Sequence, residues 1–170
     1  TANENAVEGI IITDESNNII EVNNAFSKIY GYDKEFILGK NPSFISSKLH
    51  DKDFYKKMWH SIHTTSKWSG EIINKNIKGE EVIQWMSVST IHNEDGIPDN
   101  YLAIFSDLTE LKRAQDKIEN MLFHDKLTTL HNKSYLEQLL KSDNKHTLIL
   151  LNINNFSYIN TAYGFEVGDK

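Results

Sequence analysis

Three strand-like runs separated by glycine-centred turns constrain this chain more than any other feature. They are WSGEIINKN (68–76), EVIQWMSVSTIH (81–92) and NYLAIFSDLT (100–109), with turns KGE around Gly79 and NEDGIP around Gly96. Runs rich in β-branched and aromatic residues, joined by short polar turns, read as an antiparallel meander. Two shorter runs, GIIITD (9–14) and IIEV (19–22), flank the turn DESNN and read as a hairpin. Between hairpin and meander the pattern changes to helix. In NNAFSKIYGY, Asn23 or Asn24 is a candidate cap, Gly31 a stop, and Phe26, Ile29 and Tyr30 share one face. Asp33 and Gly39 bound a second short helix, and Pro42 bars its continuation. DKDFYKKMWHSIHT (51–64) is a stronger amphipathic helix, with Phe54, Tyr55, Met58, Trp59 and Ile62 on the 3.6-residue period. The expectation is a small α+β domain: two strands, short helices, then three long antiparallel strands.

The composition changes at Leu108. LTELKRAQDKIENML is charged and lacks glycine and proline, with apolar residues at Leu111, Ala114, Ile118 and Met121 or Leu122. This 3–4 spacing is that of a short coiled-coil seam, and a helix here is about 24 Å long at ~1.5 Å per residue. From His124 the pattern changes again. Asn132 is a candidate cap for KSYLEQLL, TLILLNI (147–153) reads as a buried strand, and NNFSYINTAYG opens another helix. A helix–strand–helix of this length reads as the front of an α/β domain.

Charge and composition remove several functions. With 18 basic and 24 acidic side chains the net charge is −6, which argues against a nucleic-acid surface. There is no cysteine, so disulfides, thiolate metal sites, cysteine nucleophiles and flavin–cysteine adducts are all excluded. No apolar run approaches the ~18–20 residues of a membrane span. The chain opens on Thr1 without a leader sequence, and the expectation is a piece of a longer, cytoplasmic protein.

Taken in order, ITDESNNIIEVNNAFSKIYGY, FILGKNPSFISS, FYKKMWHSI, WSGEIINKNIKGEEV and FSDLTELK resemble a PAS sensory domain. The resemblance implies residues 1–109 as that domain: a five-stranded antiparallel sheet with helices on one face, enclosing a ligand pocket. It leaves 110–123 as a signalling helix. FHDKLTTLHNKSYLEQLL and LNINNFSYINTAYGFEVGD then resemble the N-terminal part of a GGDEF domain over 124–170, with Thr129, His131 and Lys133 where that family usually has Gly, Pro and Arg. Together they imply an input module of a bacterial cyclic-di-GMP signalling protein that relays a ligand or redox signal through a dimeric helix.

The same resemblances imply site residues. Asn74 and Gln84 match positions that hold the ring in flavin-binding PAS domains, and the amphipathic alternation sets both on one sheet face. Trp59 and Trp68 resemble those of FAD-binding redox sensors, which makes FAD the candidate ligand. Pro42 stands where light-sensing members carry their reactive cysteine. The alternative is that the two amides pair with backbone and the two tryptophans fill core. His60 and His63 lie on the helix that supplies a haem ligand in other members, but His60 is on its polar face. In the tail, Asn160 matches a residue that contacts guanine, while Ser157 replaces a usual lysine. Asn152 and Asn154 stand where the family has acidic metal positions, and an amide brings no charge to a magnesium ion that prefers anionic oxygen. The expectation is therefore a degenerate GGDEF unit without catalysis of its own, in a phosphodiesterase as a whole. The alternative is an active diguanylate cyclase. A parallel homodimer through the PAS surface and the helix 110–123 is expected, with a small-molecule ligand and neither nucleic acid nor membrane as partner.

Overall fold

The computed structural model describes residues 7–141, 145 and 147–169. Residue contacts divide the chain into two units, Thr1–Arg113 and Ala114–Lys170. In the first, β1 (Gly9–Asp14) and β2 (Ile19–Val22) form the hairpin, followed by α1 (Asn24–Tyr30), α2 (Lys34–Ile37), a 3-10 turn (Pro42–Ile45) and α3 (Lys52–Thr65). The meander is β3 (Lys67–Lys75), β4 (Glu81–His92) and β5 (Pro98–Asp107). All pairs are antiparallel and the strand order is β2-β1-β5-β4-β3, so the hairpin docks beside β5 and brings the chain's first and last strands together.

The caps explain where the helices begin. Asn23 Oδ1 accepts from the Phe26 N–H and Asp51 Oδ1 from the Phe54 N–H, each satisfying a free first-turn donor. Gly31, at φ 74°, ends α1 in the left-handed region. Asp33 precedes α2 but makes no side-chain cap bond.

The helices lie on one face of the sheet. That face carries Ile11, Ile72, Val82, Gln84, Met86, Val88 and Phe105, all buried. Phe26, Tyr30 and Phe105 form a ring cluster, with centroids 4.8 Å apart for Phe26–Tyr30 and 5.6 Å for Tyr30–Phe105. Phe105 pairs with Gly9 across the β1–β5 ladder, and its ring covers the space a Cβ at Gly9 would need. Any side chain at position 9 would therefore displace the centre of the core.

α4 (Thr109–Phe123) follows β5 directly. The second unit holds α5 (Lys133–Leu139), α6 (Phe156–Tyr163) and α7 (Phe165–Gly168). Asn132 Oδ1 caps α5 through the Tyr135 N–H. Residues 147–153 correct the sequence reading. They form no strand, and Leu148, Ile149, Leu150, Leu151 and Ile153 are exposed. A strand exists only through ladder bonds to a neighbour, and none pairs with this run among the described residues.

Candidate functional site

A cavity of about 330 Å³ lies between the inner sheet face and the helices. Each wall comes from a different element. β1 contributes Ile11 and Thr13, β3 contributes Ile72 and Asn74, β4 contributes Met86 and Val88, and β5 contributes Tyr101 and Ala103. The apolar side of α3 supplies Tyr55, Met58, Trp59 and Ile62. Asn17, Asn41, Pro42 and Ser43 line it as well, and Asn41 and Ser43 are solvent-exposed, so the cavity opens on that side. At this volume it sits at the low end of ligand sites, roughly 300–1,000 Å³.

The polar groups are few. Thr13 is 3% exposed, lines the cavity, and its Oγ1 has no hydrogen-bond partner among the described residues. A buried hydroxyl left unpaired costs about 1–3 kcal/mol, which a ligand group hydrogen-bonded to it would recover. Asn74 is 5% exposed and donates through Nδ2 to the Tyr30 hydroxyl at 3.1 Å. Tyr30 in turn donates to Gln84 Oε1 at 2.5 Å. Burial pushes the Tyr30 phenol well above its ordinary value, against the opposing hydrogen bond donated by Asn74, so the hydroxyl stays protonated. Ser46 Oγ and Tyr55 Oη lie 3.2 Å apart on the same cavity.

The expected ligand residues separate in space. Asn74 and Trp59 are on the cavity wall. Trp59 is half-buried and meets Tyr101 edge-on at 5.4 Å. Gln84 is fully buried and lies behind the wall rather than on it. Trp68 is not on the wall either: it packs edge-on against Phe54 at 5.9 Å, and its ring fills the space beside Gly70. Asn74 and Gln84 pair through a tyrosine hydroxyl, not with backbone. Sequence reasoning missed Tyr30 and Thr13. Pro42 does line the cavity, whereas His60 and His63 are exposed and no histidine lines it among the described residues. Asn160 lies in α6, where its Oδ1 is buried without a partner among the described residues.

At the exit of the sheet, Asp107 Oδ1 accepts from the Thr109 N–H at 2.8 Å and so caps α4. Thr109 Oγ1 accepts from the Ile83 N–H at 3.0 Å, and Leu108 N–H donates to the Ile83 carbonyl at 2.8 Å. Lys112 also meets Glu71 of β3 at 2.9 Å. The start of α4 is therefore tied to β4, the strand that carries Met86, Val88 and Gln84.

In the second unit Asn152 and Asn154 offer uncharged amides, and no group of three or more His, Asp or Glu able to hold an ion occurs among the described residues. Two amides at these positions bring no anionic oxygen, the donor a divalent cation such as magnesium prefers.

Comparison with known proteins agrees with this geometry. The PAS domain family profile matches residues 7–110, and that of the diguanylate cyclase GGDEF domain matches 122–170. The chain is 28% identical over 117 residues to the nitrogen fixation regulatory protein of Klebsiella oxytoca, covering 69% of this chain and 24% of that protein. It is 23% identical over 180 aligned residues to the cyclic di-GMP phosphodiesterase PdeR of Escherichia coli, covering 97% of this chain and 26% of that one. The chain therefore spans about a quarter of the length of these curated relatives. A solved light-oxygen-voltage domain, studied with a flavin analogue, superposes with a TM-score of 0.59 at 20% identity, over 69% of this chain and 90% of that one. No helix among the described residues is long and apolar enough to cross a membrane.

Proposed function

Because the chain belongs to the PAS domain family and runs on into a segment matching the GGDEF domain, we propose that it senses a flat heteroaromatic ligand, FAD in the first instance, and passes the signal through α4. The observation that carries this reading is the cavity, whose apolar and aromatic walls hold the unpaired Thr13 hydroxyl and the Asn74 amide. Walls of this kind cover the faces of a ring while amides pair with its edge. Asn74, Thr13 and Trp59 would hold the ring, and the cavity has room for one ring system, leaving the rest of a dinucleotide outside. When bound, a flavin supplies redox chemistry. Gln84 and Trp68 support the site from outside the wall.

An absorption spectrum of the purified protein tests this. The paired near-ultraviolet and blue flavin bands, released to the supernatant on denaturation, would establish the ligand. A colourless protein that takes up neither riboflavin nor FAD would remove the flavin reading.

For output, we propose three functional parts, 1–109 as sensor, 110–123 as signalling helix and 124–170 as the front of a GGDEF unit, in a cytoplasmic homodimer. The amides at Asn152 and Asn154, together with the similarity to a phosphodiesterase along nearly the whole chain, favour a degenerate GGDEF unit over an active cyclase. GTP with magnesium should give no cyclic di-GMP from the intact protein; chromatographic detection of that product would restore the cyclase reading.

A further inference from the structure

The Tyr30 hydroxyl stands between two carboxamides in different situations. Asn74 is on the cavity wall, and Gln84 is behind it, completely buried. The hydrogen bonds run in one direction, from Asn74 Nδ2 to Tyr30 and from Tyr30 to Gln84 Oε1. That direction leaves Gln84 Nε2 without a partner among the described residues. The arrangement thus lacks an acceptor at its inner end among the described residues.

A carboxamide turned end for end keeps its shape and exchanges donor for acceptor, and a phenol can donate once while accepting from another side. If both amides turn, Gln84 Nε2 donates to Tyr30 and Tyr30 donates to Asn74 Oδ1. The three groups then hold the same two hydrogen bonds in the opposite sense. What Asn74 offers the cavity also changes, from its carbonyl oxygen to its amino group.

We propose that Tyr30 is a relay that makes the orientation of the buried Gln84 amide depend on the hydrogen-bonding polarity of whatever occupies the cavity. The inference rests on the reading of the cavity as a ligand site. A ligand edge that accepts, such as a ring nitrogen, draws the Asn74 amino group and turns the relay inward; an edge that donates leaves it as it stands. The ligand class this suits is a heteroaromatic ring whose edge changes from acceptor to donor on reduction. Gln84 has no wall position of its own, so it can read such a ligand only through Tyr30 and Asn74. Its neighbour Ile83 binds Thr109 and Leu108, and Gln84 itself stands opposite Asp107 in the β4–β5 ladder, so the reading is delivered at the root of α4. Phenylalanine at position 30 would fill the same space and transmit nothing.

The test is side-chain amide NMR on the full chain, in the Tyr30 parent and in the Tyr30→Phe variant. Asn74→Asp can only accept from Tyr30, so it holds the relay in the reversed sense. The Gln84 amino signals should move downfield in the parent and stay fixed in the Tyr30→Phe background. No movement in the parent, or equal movement in both, overturns the relay. Should the aspartate variant not fold, riboflavin added to the parent and to Tyr30→Phe takes the same comparison. Oxidised riboflavin is the ligand probe: bound to the parent, it should move the Gln84 signals in the same direction as Asn74→Asp. If riboflavin does not bind while Asn74→Asp still moves Gln84, the relay stands and the flavin reading falls. If riboflavin binds and Gln84 does not respond, the flavin reading stands and the relay falls.

Discussion

Tyr30 completes the core and the polar site at once, because its ring packs on Phe26 and Phe105 while its hydroxyl joins two amides. Removing only the oxygen separates these roles. Tyr30→Phe keeps the packing and leaves the Asn74 and Gln84 amides short of a partner, at a cost of about 1–3 kcal/mol. Urea unfolding should show this as a lowered midpoint with an unchanged slope; a midpoint equal to the parent's would mean that the amides find each other without the phenol. The sequence revealed the two amides and not the tyrosine, for a physical reason. Asn74 and Gln84 stand out as polar residues on an apolar alternation, whereas Tyr30 falls on the apolar face of α1 and reads as core. Its partners are 44 and 54 residues away along the chain, a separation that no local pattern carries. Thr13 escaped notice similarly, since a threonine in a strand is ordinary until its hydroxyl is found buried and unpaired.

At the scale of elements, boundaries followed local chemistry closely where caps and periodicity set them. α3 begins after Asp51 as its cap requires, and all five strands occur. The run 147–153 failed because five aliphatic residues specify burial, not a ladder partner. The junction of β5 and α4 is the element pair on which the proposed passage of a signal into the helix depends. Thr109 Oγ1 binds the Ile83 N–H, while Asp107 caps the helix through the Thr109 N–H. Thr109→Val keeps the shape and breaks one of the two ties to Ile83 of β4, at about 1 kcal/mol. Amide exchange at Ile83 and across the first turn of α4 should quicken while the centre of β1 stays protected; uniform protection would show that the tie is dispensable. Farther along α4, Leu111, Ile118, Met121 and Leu122 are each more than half exposed. An isolated helix of this length is marginal in water, which is why a second copy is the expected occupant of that seam. Ile118→Glu would bury an unpaired charge there. Light scattering at tens of micromolar should give a dimer for the parent and a monomer for the variant, and a monomeric parent would reject the paired rod.

For the molecule as a whole, the first unit holds the entire sheet and its core, so it carries what folding requires. A chain ending at Glu110 should unfold in one cooperative transition; a broad, non-cooperative melt would show that the sheet needs the rest of α4. The strand order leaves two edges, and they differ. β2 is 4 residues long, too short to recruit much, whereas β3 runs for 9. A long bare edge is a template on which further strands add. Here the segment after the 3-10 turn lies along it: Ser46 bridges Asn74, Ser47 Oγ donates to the Ile73 carbonyl, and the Ile73 N–H donates to His50 Nε2. Nearer its start, the Lys67 carbonyl is taken by Ser61 and Thr65. These side chains therefore act as a bumper against filament growth, and crowded copies of this chain can meet through side chains without zipping backbone to backbone. Replacing Ser47 and His50 together by alanine strips that bumper, and turbidity on storage at high concentration should then rise well above the parent's; equal clarity would mean that the charges of Lys67, Glu71 and Lys75 guard the edge unaided.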